Sequence, residues 1–449
     1  MAKTCTRTVR LELNVIGDQN GDKKAAKDRI KQIAGNAWRA ANRIVDGQNL
    51  NDSLMRTIRE RFEVDPSDLE AVGGIEESFQ MFFGVKRQAT TERDIKQKFP
   101  DLPPCVTNPM NNLVVSAYKA DKADVHMGNA TLRKYKRGMP IPVTKGSVKF
   151  VSEEEVEWTL GRKGFIRFKI YFGKDKANHR HTIQLIVNGE KDYGASSFQY
   201  KCGKLFLLLS VKDEVQEHRL DPKQCVGVDM GVAVPAYVAL AEGKPRKAIG
   251  HYEEFARVRM QMKTRRERLQ VSCSAARGGV GRKRKLKALN KLRDKERRFV
   301  RQYNHFVSRR VIDFAIANNA ATINMEFLEG YGEGETDHFV LRHWSYFELQ
   351  TMIEQKAKAN GIKVVKVDPY HTSQICSKCG HYEPGQRIEQ KTFKCKKCGE
   401  EMNADYNAAR NIAQSKKKVT KKEECEFWKQ KKEERERRKA EKEQQKDVA

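Results

Sequence analysis

The stretch "CVGVDMGVAV", Cys225 to Val234, is an apolar strand with one acid in its middle. A lone carboxylate in a dry core costs several kcal/mol unless it is paired or holds a metal. The flanking Gly227 and Gly231 let other groups approach the backbone closely. Taken alone, the stretch also fits a strand that stops at Val228, with Asp229 as a turn residue. The remainder of the chain has to choose between these.

Two later acids stand in parallel settings. "AATINMEFLEG" predicts a strand that ends in Glu326. "NADYNAARNIA" predicts a short helix opened by Asp405, with Ala408, Ala409 and Ile412 on one face. A single Asp at a helix start is ordinarily an N-cap. Three acids together suit a different task. Two divalent cations roughly 3.5–4 Å apart need a carboxylate-rich cluster to hold them for in-line phosphodiester attack. Hard oxygen ligands select Mg²⁺ or Mn²⁺. Glu329 and Asp368 compete for the third place, although Asp368 precedes Pro369 and suits a turn.

Between the second and third acids lie "CSKCG" and "CKKCG". Cys376, Cys379, Cys395 and Cys398 thus form two C-x-x-C knuckles at zinc-ribbon spacing. Four thiolates close a tetrahedral Zn²⁺ site, which is structural and leaves no open catalytic position. The other six of the ten cysteines are scattered and read as ordinary thiols. With no secretory leader and no apolar run of transmembrane length, a cytosolic setting without disulfides is expected.

The 449-residue chain carries 88 Lys+Arg against 59 Asp+Glu, a net +29. Such a charge calls for a polyanion as partner, most often nucleic acid. Residues 257–301 hold 18 Lys/Arg and 3 Asp/Glu, a net +15. A solvated helix face normally mixes signs. Two basic helices joined by the turn in "RGGVGRKRK" are therefore expected to contact nucleic acid, with Arg265, Arg266, Arg282, Lys283, Arg284, Lys285, Arg297 and Arg298 as candidate phosphate contacts.

N-terminal to these segments, "TRTVRLELNVIG" alternates as a half-buried strand. Helical spacing begins near Lys23. Further helices are expected over Leu54–Phe62, Ile75–Phe83 and Asn108–Lys122, the last with Thr107 as its cap. From about Pro140, "SVKFV", "FIRFKIYF", "HTIQLIV" and "KLFLLLSV" read as strands. A helical block thus interrupts a β domain, and Asp221-Pro222 marks the boundary to the next part. After Gln414 a run of 14 basic and 9 acidic residues reads as a charged tail.

"GVDMGV", "INMEFLEG", "TSQICSKCG…FKCKKCG" and "NADYNAARN" resemble, in order and spacing, the split RuvC nuclease of type V CRISPR effectors and of related transposon-encoded RNA-guided nucleases. The resemblance covers residues 223–414. A small chain with an inserted N-terminal helical lobe is most similar to the miniature type V-F effectors. That resemblance implies a multidomain α+β fold with an RNase H-like (RuvC) α/β core, a zinc ribbon, a β-barrel wedge domain and a helical recognition lobe. The implied boundaries are 1–20 and 139–222 for the wedge and 21–138 for the recognition lobe. The split nuclease would take 223–252, 303–369 and 403–414, around a basic helical insertion at 253–302. The ribbon would take 370–402 and the tail 415–449. Asp229, Glu326 and Asp405 become the three acids that bind two Mg²⁺ (or Mn²⁺) ions. In that family an Arg of the ribbon hairpin reaches the scissile phosphate, and Arg387 matches by position.

The function implied is RNA-guided cleavage of target DNA in the cytoplasm of a prokaryote, with a guide RNA and target DNA as partners and no membrane. A compact chain of this length has a radius of gyration of roughly 22 Å. A 20-bp heteroduplex is on the order of 60 Å long. One copy covers it poorly, and type V-F effectors place two copies on one guide. Two alternatives stay open at this point: a transposon-encoded RNA-guided nuclease, and a nucleic-acid-binding protein whose acids are structural.

Overall fold

The computed structural model describes residues 4–63, 86–128, 130–175, 178–201, 203–231, 234–275, 279–327, 346–368, 371–389 and 391–415, with short pieces within 73–84. The chain divides into two compact units, Thr4–Asp213 and the part from Glu214 onward. The boundary falls several residues before Asp221-Pro222. The expected boundary was displaced because Asp221 opens a strand of the second unit rather than a linker.

In the first unit a seven-stranded sheet has the order β2-β6-β7-β1-β5-β4-β3. The strands are β1 (Thr4–Asp18), β2 (Ile141–Val143), β3 (Val148–Phe150), β4 (Glu155–Thr159), β5 (Phe165–Tyr171), β6 (Ser196–Lys201) and β7 (Lys204–Glu214). Alternation drives it: Val9, Leu11 and Leu13 of β1 are buried, while Arg10 and Asn14 are exposed. Trp158 stacks on Phe198 in its core, with ring centroids 4.3 Å apart. Among the helices described in this unit are α1 (Lys23–Arg61), α2 (Arg87–Lys98) and α3 (Pro104–His126).

Three expectations change here. "HTIQLIV" is helix α4 (His179–Val187), not a strand. Its buried residues Thr182, Ile183 and Ile186 follow helical spacing, and the Asp175 carboxylate accepts from His179 N and Arg180 N at 2.7 and 2.9 Å. That local anion at the helix start outweighs the β-branched composition. Leu54–Phe62 is not a separate helix but the end of the 39-residue α1. Thr107 does not cap α3, which starts at Pro104, and Pro109 lies inside it. Pro109 has no N–H for the Cys105 carbonyl, which instead accepts from Thr144 N at 3.1 Å. The helix therefore passes a proline that sequence rules place near its start. Of the expected Ile75–Phe83 helix, residues 77–81 are helical and the remainder lies outside the described residues, as does the whole tail beyond Ser415.

In the second unit a five-stranded sheet has the order β10-β9-β8-β11-β12. Its strands are β8 (Asp221–Asp229), β9 (Ala236–Leu240), β10 (Arg246–Ile249), β11 (Ala320–Glu326) and β12 (Lys363–Val367). β10, β9 and β8 form an antiparallel meander, whereas β11 pairs in parallel with both β8 and β12. A helical pair, α5 (Tyr252–Ser274) and α6 (Gly279–Ala317), connects β10 to β11. Then follow α7 (Tyr346–Ala359), a small hairpin of β13 (Thr392–Lys394) and β14 (Glu401–Asn403), and α8 (Ala404–Gln414).

The two faces of this sheet carry different helices. Val226 and Val228 bury on one face in a core with Val307, Val311 and Ala315 of α6 and Leu349 and Ile353 of α7. Gly227 and Asp229 point to the other face, where α8 lies. A strand covered on both sides reads as a continuous apolar run, which is why the Cys225–Val234 stretch shows so little alternation.

Candidate functional site

β8 and β11 are parallel, with Asn324 level with Gly227 and Met325 level with Val228. Each strand continues one residue, to Asp229 and Glu326. The two acids therefore stand at the carboxyl ends of adjacent parallel strands. That is where an open α/β sheet places its ligands.

The third acid arrives on α8. Asn403 ends β14 and caps α8, its side-chain oxygen accepting from Tyr406 N at 3.0 Å. Asp405 follows in the first turn. The cap is thus Asn403, and the Asp405 carboxylate is left for another role. α8 reaches the sheet through a gap made by glycine. A Cβ on Gly227 would meet the Ala409 carbonyl oxygen at 1.9 Å and Ala413 N at 2.5 Å. Asn324 completes the seat: its side-chain amide donates to the carbonyls of Ile412, Ala413 and Ser415 at 3.0–3.3 Å. These are the carbonyls that a helix C-terminus leaves unsatisfied.

The electrostatics follow from this convergence. The Asp229 carboxyl is pushed well above the usual range, by burial first and then by the charges of Glu326 and Asp405, with Arg387 opposing. Burial also raises Glu326, against a hydrogen bond from Thr372 Oγ1. Burial raises Asp405, opposed by Arg387 and Lys391. Arg387 Nη2 donates to Asp405 Oδ1 at 3.3 Å. Three carboxylates so placed have a surplus of negative charge that protein cations do not cancel. An all-oxygen donor set with that surplus fits hard divalent cations. Asp368 lies one residue beyond β12. Glu329 lies outside the described residues.

The four cysteines also come together. Their Sγ atoms all lie within 4.8 Å of one another. Cys376 and Cys398 are 3.7 Å apart, and Cys379 and Cys395 are 3.6 Å apart. A tetrahedron of thiolates at Zn–S of about 2.3 Å has edges of about 3.8 Å, so the set fits one zinc. We expect metal analysis to return about one zinc per chain. Cys395→Ser should lower both that content and DNA cleavage, because β13 and β14 lead directly into Asp405. An active, unchelated protein without zinc would refute this.

Sequence reasoning missed the amides that join these parts. Asn407 accepts from Ser377 N and donates to the Ile375 carbonyl; Asn411 donates to the carbonyls of Thr372 and Ile375. Gln350 Nε2 donates to the Glu326 carbonyl at 2.7 Å. Gln386, fully buried, spans Gln374, His381 and Lys396. An apolar-period reading skips such residues, and their signal is only an amide where the pattern calls for an apolar side chain.

On the basic helices, Arg265, Arg284, Arg297 and Arg298 are exposed. Arg266 is partly buried and donates to the buried carboxylate of Glu296 at 3.0 Å. Its charge holds α5 against α6. The side chains of Arg282, Lys283 and Lys285 lie outside the described residues.

The family "Cas12f1-like, TNB domain" matches residues 346–412. The chain is 34% identical over 317 residues to the CRISPR-associated endodeoxyribonuclease Cas12f1 of Sulfoacidibacillus thermotolerans, covering 66% of this chain and 73% of that protein. It is 30% identical over 374 residues to the protein of the same name from Syntrophomonas palmitatica, covering 70% and 73%. A solved complex of Cas12f1 with sgRNA and target DNA superposes with a TM-score of 0.64 at 20% identity, covering 92% of this chain and 99% of that one. That likeness extends the shared fold over nearly the whole chain.

Proposed function

Because the chain belongs to the Cas12f1 family of CRISPR-associated endodeoxyribonucleases, we propose that it is an RNA-guided DNA endonuclease of a CRISPR defence system, with guide RNA and target DNA as its partners and Asp229, Glu326 and Asp405 as its metal-binding acids. The observation that supports this most is the convergence of three carboxylates, Glu326 buried and Asp229 and Asp405 partly buried, with the charges of Glu326 and Asp405 both acting on Asp229. Family membership favours the CRISPR setting over the transposon-encoded one, and three crowded acids are hard to justify in a protein without catalysis.

Two Mg²⁺ or Mn²⁺ ions, when bound, supply an activated nucleophile and stabilise the leaving oxygen. The chain's own part is positioning. Asp229, at the end of β8 between the other two acids, would contact both ions; Glu326 and Asp405 would each complete one site. Thr372 holds the Glu326 carboxylate by its hydrogen bond. Arg387, already in reach of Asp405, would turn to the scissile phosphate. The meander followed by two parallel strands supports an RNase H-like core. The seven-stranded sheet supports the wedge assignment, α1–α3 the recognition lobe, and the cysteine hairpin the ribbon.

The basic helices would bind the guide–target duplex through its phosphates, since base pairing reads the sequence. Arg297→Gln with Arg298→Gln should leave stability unchanged. It should reduce the slope of log K against log salt by about 1.4–1.8, at 0.7–0.9 per lost contact. Arg266→Gln should do the reverse. It leaves the slope nearly intact and lowers the unfolding midpoint, because a buried carboxylate loses a partner. Salt titrations and thermal melts on both variants check this, and an equal slope change in both would reject the distinction. Two copies on one guide, acting in the prokaryotic cytoplasm, complete the proposal. Among the described residues no helix is long and apolar enough to cross a membrane.

The deciding experiment is to sequence the RNA that co-purifies with the protein and to assay DNA matched to it. Cleavage in Mg²⁺ that needs the match and stops with chelator supports the proposal. Cleavage indifferent to the RNA would reject the guided mechanism.

A further inference from the structure

Across the second sheet, side chains on the α8 face fall into two rows. Tyr237 of β9 is level with Asp229, and Ala248 of β10 is level with Tyr237. Cross-strand partners share a face. Ala248, Tyr237, Asp229 and Glu326 therefore form one row. Arg246, Ala239, Gly227 and Asn324 form the next, and α8 lies over its middle.

Exposure falls along the acid row. Ala248 is exposed, Tyr237 is half-buried, and Glu326 is buried. The open side of the acids is thus walled by an aromatic ring. Beside it, the exposed Arg246 guanidinium lies 4.4 Å from the centroid of the Tyr406 ring. Tyr237 and Tyr406 have centroids 6.5 Å apart, tilted by 48°. Tyr406 is itself buried, so it backs this wall and offers no free face. The Tyr237 hydroxyl is raised by burial, and Arg246 and Asp405 both act on it, which places it close to the third acid as well.

We propose that Tyr237 and Arg246 form a nucleotide seat beside the acids: the Tyr237 ring stacks on the base next to the scissile phosphate of a single DNA strand, and Arg246 holds a neighbouring phosphate. Aromatic platforms flanked by cations grip single strands in this way, whereas a paired base has no free face to offer. Packing alone would be served equally by an aliphatic residue at this position. A polar-tipped ring, level with two carboxylates and partly open, is placed for substrate. The seat rests on the nuclease reading of the three acids.

The test uses the full protein with its guide RNA and a matched duplex. The fluorescent base 2-aminopurine is placed at each nucleotide of the displaced strand in turn, with chelator present so that nothing is cut. Wild type and Tyr237→Phe should quench one position, and Tyr237→Leu should restore its signal. In Mg²⁺, Tyr237→Leu should raise the KM of that strand roughly 5- to 150-fold, the range for losing one base stack. Tyr237→Phe should stay within about threefold, and guide RNA affinity should hold in both.

A Tyr237→Leu protein with unchanged quenching and KM overturns the proposal. Equal damage from Tyr237→Phe also overturns it, since the hydroxyl rather than the ring would matter. If Tyr237→Leu does not fold, Tyr237→Trp takes its place; it must quench at least as strongly as wild type, and failure to do so overturns the seat. Cleavage by wild type without any quenched position defeats the seat alone. Quenching without cleavage defeats the nuclease reading alone.

Discussion

Asp229→Ala should reduce cleavage of guide-matched DNA in Mg²⁺ by roughly a thousandfold or more, while guide RNA and target DNA binding stay within about twofold. The acid stands at the carboxyl end of β8, level with Glu326 across the sheet and within the field of Asp405. Loss of the group central to a metal cluster forfeits several kcal/mol of charge stabilisation, and each 1.36 kcal/mol is tenfold in rate. Binding is spared because Asp229 carries the same charge sign as phosphate and makes no favourable contact with it. Without metal, the variant should be no less stable than wild type. Burial and two neighbouring carboxylates already raise the Asp229 pKa, so its charge is a cost to the empty fold. Kinetics in Mg²⁺ and thermal melts in chelator read both parts. A variant that cuts within tenfold of wild type would remove Asp229 from the site. Asp368→Asn is the control; loss as great there would mean that Asp368 is the third acid.

Gly227→Ala should be nearly as damaging, although Gly227 touches no substrate. Its new Cβ would sit 1.9 Å from the Ala409 carbonyl oxygen. The Cβ is fixed by the β8 backbone and the oxygen belongs to that of α8, so neither can rotate away and α8 must move by about 1 Å or more. Such a displacement of a catalytic group costs about a hundredfold. Asp405 is one turn along the same helix, and Asn324 loses its alignment with the carbonyls of Ile412, Ala413 and Ser415. Overpacking should also lower stability by about 1–3 kcal/mol. Gly231→Ala is the comparison, since its Cβ would meet Val234 O at 3.3 Å and needs only a small adjustment. Equal cleavage by Gly227→Ala and wild type would mean that α8 does not rest on β8.

Both glycines around Asp229 invite close approach, yet only contact geometry separates Gly227, which admits a helix, from Gly231, which does not. "HTIQLIV" has strand composition, but a carboxylate four residues before its helix start decided for α4. Thr107 matches an N-cap pattern, but the Cys105 carbonyl found a partner 39 residues away in Thr144 and α3 could begin earlier. Arg266 is indistinguishable by sequence from Arg265, and only the depth of Glu296 gives it a different duty.

What the sequence determined by itself is chemistry carried by residue type and local spacing. Four cysteines in two C-x-x-C pairs specify a tetrahedral site because each knuckle is closed by its own turn. A net +15 over residues 257–301 points to a polyanion partner because charge sums without regard to fold. An acid within an apolar strand raises the question of a site, because burying a lone charge is costly, and the two later acids in parallel settings point the answer toward metal. Which distant residues meet was settled by long-range pairing and packing. Asp229, Glu326 and Asp405 lie far apart along the chain and are brought together by parallel pairing and one glycine gap. The register that sets Tyr237 beside Asp229, and the Asn324 amide beneath α8, depend on long-range backbone pairing and packing, whose partners no local pattern encodes.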